Sequence, residues 1–202
     1  MTGSIPDRQE QVVVSDIDRH DESLALRHSE AAGVLEAVPE VVVEIDLVPR
    51  AGEHSIDFAL RLLAAQTPEE AVTFAAQMFV PRASVWWGHE CMRGSASLLS
   101  SSDRRWMELA AAWVTDPEES ARQRLLDDAM QERDRGPGVW LALAAGWSQG
   151  SMAPAGSPSV LPPAHLTGRA VNAAILNVLA RADKELRRSL LQSYLSMARD
   201  LV

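Results

Sequence analysis

The chain has 202 residues, 47% of them hydrophobic, with a formal net charge of −9 and a single cysteine, Cys91. That length can bury a real core, and the acidic balance argues against non-specific binding to nucleic acid or anionic membranes, which need a cationic surface. One cysteine excludes an intramolecular disulfide framework and a four-cysteine zinc site.

The charge is uneven. Residues 1–52 carry eleven acids and four arginines, whereas residues 53–202 carry seventeen acids and fifteen bases. The sequence therefore divides into an acidic arm, 1–52, and a nearly neutral domain, 53–202. Through about Glu36 the arm has few large apolar residues and is expected to be largely disordered. Val41, Val43, Ile45 and Leu47 then alternate with Val42, Glu44, Asp46 and Val48 between Pro39 and Pro49, which is strand periodicity. A lone strand needs a partner. Packing on its own body, pairing with a sister subunit and donation to another protein by strand addition all satisfy that need.

From Ser55 onward the pattern is helical. Ile56, Ala59, Leu60 and Leu63 follow the i, i+3, i+4 rule. Thr67-Pro68-Glu69-Glu70 predicts a helix with Thr67 as cap, Pro68 at the first position and Glu70 closing a capping box. Pro81 opens the next helix, which holds Val85, Trp86, Trp87 and Met92 and stops at Gly94. Ser102 or Asp103 starts another, with Trp106, Leu109, Ala110 and Trp113 on one face. Asp116-Pro117-Glu118-Glu119 repeats the cap-Pro-acid-acid pattern before a helix containing Leu125 and Ala129. Gly136-Pro137-Gly138 precedes a short, almost wholly apolar helix, Val139 to Trp147, expected at the centre. A Gly/Pro/Ser loop from Gly150 to Pro163 is too long for a simple turn. Two helices close the chain, one with Val171, Ile175 and Val178, the other with Leu190, Tyr194 and Met197. The expectation is an all-α fold of seven or eight helices in packed hairpins. A diverged two-fold repeat would explain the paired Pro-Glu-Glu starts and the Val85-Trp86 and Val139-Trp140 pairs; the commonness of Pro-Glu-Glu at helix starts explains them equally.

Three segments bear on chemistry. Gly146-Trp147-Ser148-Gln149-Gly150 has the spacing of a nucleophile elbow, and a serine hydrolase using Ser148 and His165 is the enzymatic alternative. An elbow needs a strand before the serine, whereas an apolar helix is predicted there. His89-Glu90-Cys91-Met92-Arg93 begins like a zincin helix, but Arg93 stands where the second histidine belongs, so no metal is expected. Cys91 reads as a small buried apolar residue. No Gly-rich phosphate loop occurs, and no cofactor is expected. In Pro81-Arg82-Ala83-Ser84-Val85-Trp86-Trp87, Arg82 can stack on Trp86 four residues on, with Glu90 and Arg93 following. Core packing of the tryptophans with Arg82 capping a carbonyl is one reading; a binding hot spot of Arg82, Trp86, Trp87, Glu90 and Arg93 is the other.

Thr67-Pro68-Glu69-Glu70-Ala71, Pro81-Arg82 with Val85-Trp86-Trp87, and Ser148 through Pro154 with Pro162-Pro163 and His165-Leu166 resemble an uncharacterised family of small all-helical bacterial proteins. The resemblance spans residues 55–180. It implies the helical fold, and through members near secretion-system genes it suggests service to such an assembly. The residues point to a non-catalytic, cytoplasmic protein-interaction module, an adaptor or chaperone-like accessory with another protein as partner, with no nucleic acid and no membrane insertion. Val41, Val43, Ile45 and Leu47 are candidate partner contacts beside the tryptophan segment. A structural homo-oligomer, a homodimer in the simplest case, is the remaining alternative.

Overall fold

Proline and short polar caps set where the helices begin. A computed structural model describes residues 25–154 and 156–202. Its α-helices are α1 (Ala31–Ala37), α2 (Ser55–Leu63), α3 (Glu70–Met78), α4 (Pro81–Arg93), α5 (Ser101–Thr115), α6 (Glu119–Gln131), α7 (Pro137–Gly146), α8 (Leu166–Leu179) and α9 (Lys184–Asp200). Pro81 and Pro137 occupy first helical positions, where no N–H is needed. No sheet forms among the described residues; there are only single bridges, Leu26 with Phe79 and Glu30 with His54. The all-α expectation holds, with eight α-helices beyond residue 52.

α7 lies at the centre. All its residues except Trp140 are buried, and it packs against α5, α6 and α8. α8 in turn touches α3 and α4, and α9 closes over α2, α3 and α4. The close approach of α5 and α7 depends on Gly138, where a Cβ would overlap the backbone of Asp103. Asp103 also closes a capping box with Ser100 and receives Arg181 Nη1 at 2.8 Å. Burial pushes its carboxyl up, but hydrogen bonds from Arg181, Ser100 and Gly138 outweigh that and hold it below the ordinary value.

Four expectations are corrected. Residues 41–48 are not a strand: Pro39–Glu44 is a 3-10 helix followed by irregular chain. The reason is visible in burial. Val34, Val38, Val41 and Ile45 are buried while Val43 is 87% exposed, so the apolar spacing that meets the core is helical and the alternation is incidental. Second, order begins before Glu36: α1 and these valines join the same core as Phe58 and Phe74, so of the partners open to this segment its own body is the one seen. The expectation of disorder, as far as Leu24, lies outside the described residues. Third, neither Pro-Glu-Glu start is capped by a side chain; both helices begin at the second glutamate, Glu70 and Glu119. Glu70 is occupied instead by accepting the Asp46 N–H at 2.9 Å. Fourth, Arg82 does not stack on Trp86; the other reading of it holds, since its Nε donates to Val114 O at 2.8 Å and caps a carbonyl at the C-terminal end of α5, while Trp86 stacks on His89 with centroids 5.2 Å apart.

Candidate functional site

The connection between α7 and α8, residues 147–165, is the longest stretch without regular structure after α1. A loop of this length either has a task or lacks order. Here the chain invests buried polar groups in fixing it. Arg122, in the first turn of α6, is completely buried. Its Nη1 donates to Gly146 O and its Nη2 to Ser151 O at 2.8 Å, so one guanidinium holds the last carbonyl of α7 and the first bend of the loop together. Glu119, one turn earlier, supplies the counter-charge, accepting from Nε at 2.8 Å and Nη2 at 2.5 Å. Those hydrogen bonds hold the Glu119 carboxyl below its usual value against a smaller upward push from burial. A planar fork with donors on both edges can serve carboxylate and carbonyls together, which a lysine cannot do.

Gly150 completes this clamp. Its φ of 65° lies in the left-handed region, and an added Cβ would sit 2.7 Å from Glu119 Oε1 and 2.8 Å from Arg122 Nη2. Beyond it the loop braces itself. Ser151 Oγ accepts from the N–H groups of Ala153 and Val160 at 3.0 and 3.1 Å, and Met152 N donates to Val160 O at 2.8 Å. At the far end Gln77 Nε2 donates to His165 O at 3.0 Å and Arg27 Nη2 to Ala164 O at 3.2 Å. Thr167 Oγ1 donates to Trp147 O at 3.0 Å, tying the two ends together. What this framework presents is apolar: Met152, Val160 and Leu161 are 37%, 50% and 73% exposed. Between the loop and the start of α6 lies a cleft of about 490 Å³ edged by Ser120, Gln123, Ser151, Ser157 and Ser159.

Ser148 and His165 both border this loop, but their side chains are engaged elsewhere. Ser148 Oγ donates to Ala145 O at 2.7 Å, and His165 Nδ1 lies 3.2 Å from Glu40 Oε1. The serine follows the helix α7 rather than a strand, so the strained turn that exposes a nucleophile is missing. Among the described residues no three of His, Cys, Asp and Glu gather to hold a metal ion.

The tryptophan segment divides. Trp87 is fully buried and donates from Nε1 to Tyr194 O at 3.0 Å, so it belongs to the core and cannot be a surface hot spot. Trp86, Glu90 and Arg93 stay at least partly accessible, with Arg93 Nη2 2.5 Å from Glu90 Oε2 and His89 Nδ1 3.0 Å from Glu90 Oε1. Hydrogen bonds from Arg93 first, and then His89, hold the Glu90 carboxyl below its ordinary range against burial. Of the candidate contacts in the arm, Val41 and Ile45 face the core, whereas Val43 is exposed and Leu47 half-buried. They do not form one face.

Sequence reasoning did not single out Arg122. It is one of eighteen arginines, and nothing in its neighbours distinguishes it. Gly150 was visible as the last position of the elbow-like motif and the first of the Gly/Pro/Ser loop, whereas its duty is to let the clamp approach.

A family model described as a family of unknown function (DUF6931) matches residues 58–202, which include α3 to α9 and the whole loop. No curated protein and no solved structure matches the chain.

Proposed function

The chain belongs to the family of unknown function DUF6931, and we propose that it works as a non-catalytic protein-interaction module whose contact surface is the 147–165 loop. One observation carries the reading: a fully buried arginine is committed to fixing a loop that then exposes Met152, Val160 and Leu161. Burying a guanidinium is costly, and here one of its hydrogen bonds fixes the loop backbone at Ser151 while the others hold the end of α7 and Glu119. Holding an apolar loop in one conformation before binding lowers the ordering cost of association. Trp86 and Arg93 on α4 offer a further amphipathic patch of the kind interfaces use. Such a module suits an adaptor or accessory of a larger assembly in the cytoplasm. Among the described residues no helix is long and apolar enough to cross a membrane, and the one thiol, Cys91, is free and buried.

The test is comparative recovery from a lysate of the protein's own host, with the wild-type chain and a Val160→Asp/Leu161→Asp variant as baits. Both positions are exposed, so the variant should keep its fold. A discrete set of proteins held by the wild type and lost by the variant supports the reading. Identical sets from both baits would remove it. If the occupant is a second copy, sedimentation shows a dimer that the variant dissolves.

A further inference from the structure

A second surface lies away from the loop, where the α2–α3 turn meets the start of α9. It is a groove of about 740 Å³ with an apolar floor of Leu63, Pro68 and Leu191 and a wall of Lys184, Arg187 and Arg188. Glu69 is the one acid that lines it, 3.9 Å from Arg187 Nη1. Three cations against one carboxylate is an unusual concentration in a chain of net charge −9. It is also placed against the helix dipole, since these cations occupy the first turns of α9, where anions are favoured. Asp183, which accepts from the backbone N–H groups of Glu185 and Leu186, and Glu185 in the first turn offset part of that charge, but neither lines the groove.

The chain itself carries the complement. Residues 1–24 hold six acids, Asp7, Glu10, Asp16, Asp18, Asp21 and Glu22, against Arg8 and Arg19, and include Val12-Val13-Val14 and Ile17. The described chain starts within reach. Arg27 N donates to Met78 O at 2.7 Å and Val80 N to Ala25 O at 2.9 Å, which fixes Ala25 beside the C-terminal end of α3. The groove starts at Pro68 and Glu69, immediately before the other end of that helix. The nine residues of α3 rise about 14 Å, whereas the stretch from Ala25 back to Asp18 spans about 24 Å when extended.

We propose that the acidic segment 7–18 of the same chain docks in this groove, its carboxylates meeting Lys184, Arg187 and Arg188 and its apolar residues meeting Leu63 and Leu191. The tether makes the encounter intramolecular, at an effective concentration of roughly millimolar for a linker of this length, so a contact too weak for a free peptide is sufficient. This docking is independent of what the 147–165 loop binds.

The sequence supplies its own probe, because Lys184 is the only lysine. A zero-length carbodiimide applied to the full-length monomer joins its amine to carboxylates in direct contact, and peptide mass spectrometry identifies them. The expected product links Lys184 to one or more of Asp7, Glu10, Asp16 and Asp18. Its yield should fall several-fold in Arg188→Gln, an exposed position where no new carboxylate competes for Lys184, and with added salt. The proposal is overturned if Lys184 joins only Asp183, Glu185 or Glu69, if the product is a covalent dimer, or if Arg188→Gln leaves the yield unchanged.

Discussion

Arg122 lies wholly inside the protein, yet its Nη2 donates at 2.8 Å to the carbonyl oxygen of Ser151, 29 positions along the chain. The same guanidinium serves Gly146 O and Glu119, so the start of α6, the end of α7 and the loop share one fastening. Removing it leaves two backbone acceptors without a donor and a void beside α7. Arg122→Ala should therefore lower the unfolding free energy by about 3 kcal/mol, in the range expected when buried polar partners are orphaned. Arg122→Lys should recover only part of this, because an ammonium cannot address the separate acceptors with a rigid fork. Urea titration reads both, and a loss under about 1 kcal/mol for the alanine variant would show the clamp to be ornamental.

The α5–α7 crossing rests on a missing side chain. At Gly138 an alanine methyl group would overlap Asp103, whereas at Gly94, the C-cap of α4, the nearest atoms lie 3.5 Å away in ordinary contact. Alanine is the better helix former by about 1 kcal/mol, so propensity favours both replacements. Overpacking reverses the sign at one of them. Gly138→Ala is expected to destabilise by about 2 kcal/mol net, and Gly94→Ala to be neutral or mildly stabilising. Equal effects in thermal unfolding would contradict the close approach.

Asp103 gives the fold an acid-sensitive joint. Its carboxyl titrates below its ordinary 3.8 in the folded chain, so its contribution is complete above that value and is lost as pH falls through the folded value. Glu53, held down first by its hydrogen bond to Arg61, and Glu119 act in the same direction from 4.5 downward. Stability should drop progressively as pH falls below about 4.5. In Asp103→Asn the slope below 3.8 should be shallower, although the variant starts less stable because Arg181 loses its partner. An unchanged slope in urea titrations across that window would remove Asp103 from the account.

At the other end of the scale stands Tyr194, the only tyrosine. Burial raises its phenol from 10.0 to about 12, opposed by the hydrogen bond with Ser95 Oγ, whose distance is 2.5 Å. A group whose folded value is raised stabilises fully below its unfolded value, so this contribution persists to pH 10 and disappears toward 12. Ultraviolet titration of the native protein should show phenolate forming near pH 12, and in denaturant near 10. Ionisation near 10 in the folded state would mean that α9 does not press the ring into the core beside Cys91 and Ser95.

The helices were legible because their signals are local, such as Pro81 at a helix start and the almost wholly apolar α7; their exact starts were less so, since α5 is capped by Ser100 rather than begun at Ser102 or Asp103, and α7 opens at Pro137 within the expected break. The arm misled because alternation over eight residues can be read with period 2, while burial of Val34, Val38, Val41 and Ile45 follows period 3.6 across the proline at 39. Trp86 and Trp87 lie about 100° apart around α4, and which one enters the core depends on α9, more than a hundred residues away. The clamp was not legible at all. Its arginine, its carbonyl acceptors and its glycine come from three segments, and only the fold brings them together.

Hydrogen exchange across the 147–165 loop tests the central claim most directly, namely that Arg122 holds an exposed apolar loop in one conformation. The amides of Met152 and Val160 donate to Val160 O and Ser151 Oγ, so in the wild type they should exchange slower than free peptide by on the order of tenfold or more. In Arg122→Ala that protection should vanish while the buried amides of α7 keep theirs. Loop amides that exchange at the free-peptide rate in the wild type would contradict the claim.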